Sequence, residues 1–157
     1  MTKSTNKGFT IIEVVLVLAI AGLIFLMVFI ALPALNRGQR DTQRRSDAST
    51  FMTQINQYST NNRGNIPDAS TINGANGFLV NYMKQKADDS GEFRDPKTGT
   101  NYLVATSGTL GTDPGSMLYS TSQKCDGENV VAAGNRSATL LVRLEGSGVF
   151  CADNQGQ

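Results

Sequence analysis

The chain has 157 residues and a formal net charge of +1. That is enough for one modest domain, and the near-neutral balance argues against an acidic tail or a whole-chain affinity for nucleic acid. There is no histidine, which removes the commonest general base and the commonest zinc ligand. The only two cysteines, Cys125 and Cys151, fit one disulfide in an oxidising compartment better than a metal site, which would want more ligands.

The composition is uneven along the chain. From Val14 to Leu32, 19 consecutive residues carry no polar side chain. As a helix they span about 28 Å, close to the ~30 Å hydrocarbon core of a bilayer. Lys3 and Lys7 precede the run, whereas Arg37, Arg40, Arg44 and Arg45 follow it with only Asp41 in opposition, so charge alone does not orient the span. A removed secretory signal needs a small-x-small cleavage site after the run, and the stretch Ala31 to Asn36 is a poor one. A plain anchor fits the length but leaves Glu13 without a purpose. An acidic residue at the centre of a membrane helix costs about 3 kcal/mol, and less near the interface.

The string Lys7-Gly8-Phe9-Thr10-Ile11-Ile12-Glu13, followed at once by the apolar run, resembles the prepilin signal of type IV pilins and pseudopilins. The resemblance implies that a membrane-embedded prepilin peptidase cuts after Gly8, that the new amino group of Phe9 is methylated, and that the oily helix stays on the mature chain. It also implies that Glu13 meets the N-terminal amine of a neighbouring Phe9 during assembly. Two opposite charges in an apolar bundle satisfy each other, whereas either alone is penalised. Gly22 and the Ala31-Leu32-Pro33-Ala34-Leu35 stretch resemble a glycine and an Ala-Leu-Pro-Ala segment found in many pilins, with Pro33 lying later than in that pattern. Gly22 with Ala19 gives a small-residue face for close helix packing, and Pro33 removes one helical hydrogen bond.

Beyond the run, Ala48, Met52, Ile55 and Tyr58 fall at helical spacing with Phe51 beside them. This predicts one helix from Phe9 to about Asn62, amphipathic in its second half, ending near Asn61-Asn62-Arg63-Gly64 with Pro67 barring its return. The basic cluster Arg37 to Arg45 lacks interleaved aromatics and offers DNA only a weak, salt-sensitive attraction. It reads as a solvated face or as a partner for acids of adjacent subunits.

In residues 63–157 a short helix is expected from Asn76-Gly77 to Lys86. Strands are expected over Tyr102 to Thr106, Met117 to Thr121, Thr139 to Leu144 and Gly148 to Ala152. Turn-rich segments such as Asp113-Pro114-Gly115 separate them, which favours an antiparallel sheet packed on the helix's apolar stripe: an α+β head. The segment Asp95-Pro96 to Tyr102 resembles an Asp-Pro element of major type II secretion pseudopilins, and by its residues reads as a turn entering a strand. Asp88, Asp89 and Glu92, and Asp126 with Glu128, lack the rhythm of a twelve-residue calcium loop and read as solvated turn acids. The Cys125–Cys151 pair is placed like the disulfide-bounded C-terminal loop of many pilins.

These readings divide the chain into a cleaved leader (1–8), a transmembrane or filament-core helix (9–35), its amphipathic continuation (36–62) and a globular head (63–157). With no histidine and no telling serine–lysine pair, a hydrolase is not indicated. The expectation is a type IV pilin, without enzymatic activity, cofactor or metal. It is held in the cytoplasmic membrane as a precursor with its head outside, then polymerised with further copies of itself through an inner-membrane assembly platform. The surface filament would serve adhesion, motility or DNA uptake. The alternatives are a pseudopilin of a type II secretion or competence system, and a singly anchored extracytoplasmic binding domain.

Overall fold

The computed structural model describes residues 8–146 and 148–155. Two compact units divide the chain, one ending at Asn36 and the other beginning at Arg37. A single helix, α1 (Ile11–Asn61), supplies the described helical residues of the first unit and the opening helix of the second.

In the first unit α1 is long and apolar enough to cross a membrane, and no part of its most apolar stretch is buried by the chain itself. The helix begins at Ile11, two residues later than expected from the sequence, because Thr10 acts as its N-terminal cap. The Glu13 N–H reaches Thr10 Oγ1 at 3.4 Å, and the Glu13 carboxylate accepts from the Thr10 N–H at 2.9 Å. Helical structure continues through Pro33.

In the second unit α1 lays Ala48, Phe51, Met52 and Ile55 against the head, and these are buried. Phe51 is the centre of an aromatic group, its ring 5.0 Å from that of Phe78 and 5.8 Å from that of Tyr119. The helix ends where the sequence predicted, at Asn61. Arg63 and Gly64 take left-handed backbone conformations, and the Gly64 N–H closes onto Ser59 O at 2.7 Å. Two short helices follow, α2 (Ala69–Asn73) and α3 (Phe78–Asn81). The first was not foreseen; its start is marked by Asp68, which accepts from the Thr71 N–H as an N-cap. The second is shorter than expected, the left-handed Lys84 lying inside the span first read as helix.

The strands are β1 (Val104–Ala105), β2 (Met117–Thr121), β3 (Gln123–Asp126), β4 (Asn129–Ala132), β5 (Ala138–Arg143) and β6 (Val149–Asp153). One sheet has the order β1-β2-β5-β6, and β3 pairs with β4 in a separate hairpin. β2, β5 and β6 run antiparallel as expected. β1 pairs with β2 in parallel, making the sheet mixed. The reason is the connection: residues 106–116 form a long crossover, so the chain re-enters the sheet in the same direction. The β3–β4 hairpin was not expected because its strands are short, β3 is mostly polar and little of either is buried, Cys125 being the buried member.

The Cys125–Cys151 disulfide joins that hairpin to β6 of the main sheet. The two cysteines are 26 positions apart, and a loop of that size contributes about 3.5 kcal/mol by the chain-entropy argument. Replacing both cysteines with serine should lower the head's unfolding free energy by about that amount in chemical denaturation. An unchanged midpoint would show that the hairpin is held by its other contacts.

Candidate processing and assembly site

At the head of the first unit Gly8 and Phe9 are exposed, Phe9 to 88%. A Cβ built on Gly8 meets nothing within 4 Å, and the same holds for Gly22. Neither glycine is demanded by the packing of its own chain. Glu13 lies on the first turn of α1 and is held locally, its Oε2 accepting from the Thr10 hydroxyl at 2.8 Å as well as from the Thr10 N–H. Thr10 is thus a positioning residue beyond those expected from the sequence, and its signal is the Thr-x-x-Glu spacing of a capping box. Pro33 lies within α1, exposed, and has no N–H to give the helix. The expected leader, apart from Gly8, lies outside the described residues.

The second unit corrects the reading of the basic cluster. Arg44 is fully buried, and Arg40 and Arg44 are paired within their own head instead of forming a solvated face or awaiting acids of a neighbour. Arg44 Nε donates to Asp95 Oδ1 at 2.8 Å, while its Nη1 donates to Asp41 Oδ1 at 3.0 Å and lies 3.0 Å from Glu145 Oε1. Arg40 grips Glu145 with two parallel hydrogen bonds of 2.9 and 2.8 Å. Asp41 completes the group by accepting the backbone N–H groups of Glu145 and Gly146, both at 2.8 Å. One turn of α1 is thereby fastened to the turn between β5 and β6 and to the loop before β1. Of the four arginines, Arg37 and Arg45 have no ion pair among the described residues; Arg45 lies over the Phe150 ring, 5.9 Å from its centroid.

Asp95 explains the Asp-Pro turn. Its Oδ1 holds Arg44, its carbonyl accepts the Gly99 N–H at 2.8 Å, and its N–H returns to Thr100 O. Gly115 packs over the same carboxylate with a φ of +86°, and a Cβ there would sit 3.0 Å from Asp95 Oδ1, so backbone conformation and space both favour glycine. Of the acids weighed as calcium ligands, Asp88 accepts from Ser90, Asp89 from the Asn101 N–H, and Glu92 pairs with Lys84.

The arginines set the ionisation of this group. Hydrogen bonding to Arg40 draws the Glu145 carboxyl down to about 2. Burial opposes ionisation of Asp41, but the N–H groups of Glu145 and Gly146 and the Arg44 guanidinium outweigh it and hold that carboxyl below the usual range. A carboxyl whose folded pKa is depressed stabilises fully above its unfolded value and loses that contribution as pH falls through the folded one. Stability from Glu145 should therefore be complete above its ordinary value of 4.5 and disappear towards about 2. Glu145→Gln should flatten the acid limb of the stability profile in that window; identical limbs would contradict the assignment. Arg44→Ala takes from Asp95 its only cation among the described residues, and from Asp41 and Glu145 one partner each. It should cost about 3–5 kcal/mol in denaturant unfolding, whereas Arg37→Ala should stay within about 0.5 kcal/mol. Equal effects of the two would show that the buried network carries no special weight.

No curated protein matches the chain, and no solved structure does. The family model of the prokaryotic N-terminal methylation motif matches residues 3–29: the chain carries the type IV prepilin signal.

Proposed function

We propose that this chain is the structural subunit of a type IV pilus. The observation that carries the reading is the methylation motif set directly on an apolar helix whose most apolar stretch is left uncovered by its own chain. In this reading residues 1–8 are the leader, the peptidase cuts after Gly8, and Phe9 becomes the methylated N terminus. Residues 9–35 serve first as membrane span and then as filament core; 36–62 continue the helix into the head, and 63–157 complete the outer surface. The precursor sits in the cytoplasmic membrane with its head outside, and an assembly platform adds it to the filament. The subunit performs no chemistry of its own.

Glu13 has the central part in assembly. In the single chain its carboxylate is satisfied by Thr10. In the filament it would meet the Phe9 amine of a neighbour, exchanging local hydrogen bonds for an ion pair inside an apolar bundle, where a missing partner is expensive. Gly22 supplies a place of close helix approach, and Pro33 a point where the helix lacks one hydrogen bond.

The test is the sheared surface fraction of producing cells, viewed by electron microscopy and probed for this protein. Filaments containing it are expected. Glu13→Ala should leave processing intact but reduce filament yield to background. Normal filaments from Glu13→Ala cells, or sheared filaments without this protein, would overturn the reading.

A further inference from the structure

We infer that the head carries a binding site for a neutral saccharide, in the cleft beside β1. The cleft has a volume of about 600 Å³, within the range of small-molecule sites, and no charged side chain lines it. Three side-chain amides face it: Asn73, Gln85 and Asn101. Each has its nitrogen committed to a backbone carbonyl. Asn73 Nδ2 donates to Val104 O at 3.2 Å, Gln85 Nε2 to Tyr102 O at 2.9 Å, and Asn101 Nδ2 to Lys86 O at 2.6 Å. Those carbonyls fix which end of each amide is nitrogen, leaving the oxygens of Asn73 and Gln85 as oriented acceptors. Asn101, whose Oδ1 is shut off from solvent, ties the wall to Lys86.

The apolar part of the wall comes from Leu79 and from Leu103, which is 85% exposed in the middle of the head's sequence. An adjoining cleft of about 350 Å³ shares Asn73, Leu79, Gln85 and Asn101 and extends the surface past Val80. Two joined clefts with fixed acceptors and apolar patches suit a chain of sugars, which offers hydroxyl donors at its edges and C–H faces between them. The chemistry argues against the other occupants. An added peptide strand would need the carbonyls along β1 and the residues leading into it, but those of Val104 and Tyr102 already accept from Asn73 and Gln85. A metal cation would want carboxylates, and the larger cleft has none. An acidic polymer would want arginine or lysine, which only Lys86 at the smaller cleft supplies. The inference rests on the head alone and stands apart from the filament reading.

The full-length chain, held in a detergent without a sugar headgroup, would be titrated with maltotetraose, cellotetraose, β-1,4-galactotetraose and tri-N-acetylchitotriose, and with trigalacturonate as the acidic counterpart. Binding would be read by saturation-transfer NMR and calorimetry. Saturable binding of at least one neutral oligosaccharide is expected, weakened about ten-fold by Gln85→Ala and by Leu103→Glu. Leu103 is exposed, so its variant should keep the head's unfolding transition and decides the matter if Gln85→Ala does not fold. Binding of none of the four neutral probes, preference for trigalacturonate, or unchanged affinity in a folded Leu103→Glu variant would overturn the proposal.

Discussion

Nineteen apolar residues in one helix, uncovered by the rest of their own chain, constrain everything else about this protein. Each large aliphatic or aromatic side chain left in water forgoes about 1.5–3 kcal/mol of burial. Summed over Val14 to Leu32, the deficit exceeds the ~5–15 kcal/mol by which a domain of this size is stable. The cover must come from outside the chain, from lipid or from other helices. A bilayer satisfies the aliphatic side chains but offers the charge of Glu13 no counter-ion, only the local hydrogen bonds of Thr10. An apolar bundle of like subunits satisfies both, provided that a positive charge is delivered to the same depth. Cleavage before Phe9 would create that charge at the residue closest to the carboxylate in need of it.

The head faces the opposite problem, a modest core and a large polar surface. It solves part of it by fastening α1 at a buried charge group. Arg44 would be expensive to bury alone; here Asp41, Asp95 and Glu145 surround it, and backbone N–H groups bind both oxygens of Asp41. Below this group the Phe51 aromatic cluster supplies apolar burial, and the disulfide ties the outlying β3–β4 hairpin to β6. The charge group fastens the helix to two loops at once.

What was legible in the sequence followed from local pattern. The apolar run and the stripe Ala48, Phe51, Met52 and Ile55 announce a helix by their spacing, and β2, β5 and β6 follow from short apolar runs between turns. The prepilin signal is confined to a few adjacent residues and needs no tertiary structure to be seen. What was hidden depends on distance along the chain. Arg44 and Asp95 are 51 residues apart, and Asp41 and Glu145 are 104 apart, so a cluster of arginines looked like solvated surface. β1 lies within the strand expected over Tyr102 to Thr106, but its parallel direction was hidden because it depends on a crossover that only the fold reveals. Thr10 is a different case: its cap on Glu13 follows from the local Thr-x-x-Glu spacing and needs no distant contact.

The most direct measurement is the intact mass and N-terminal sequence of this protein recovered from the membrane and surface fractions of producing cells. A chain beginning at Phe9, heavier by one methyl group on its amino nitrogen, is the predicted result. A chain that retains Met1 to Gly8 in every fraction would contradict it, leaving the apolar helix as a plain anchor and Glu13 without an assembly role.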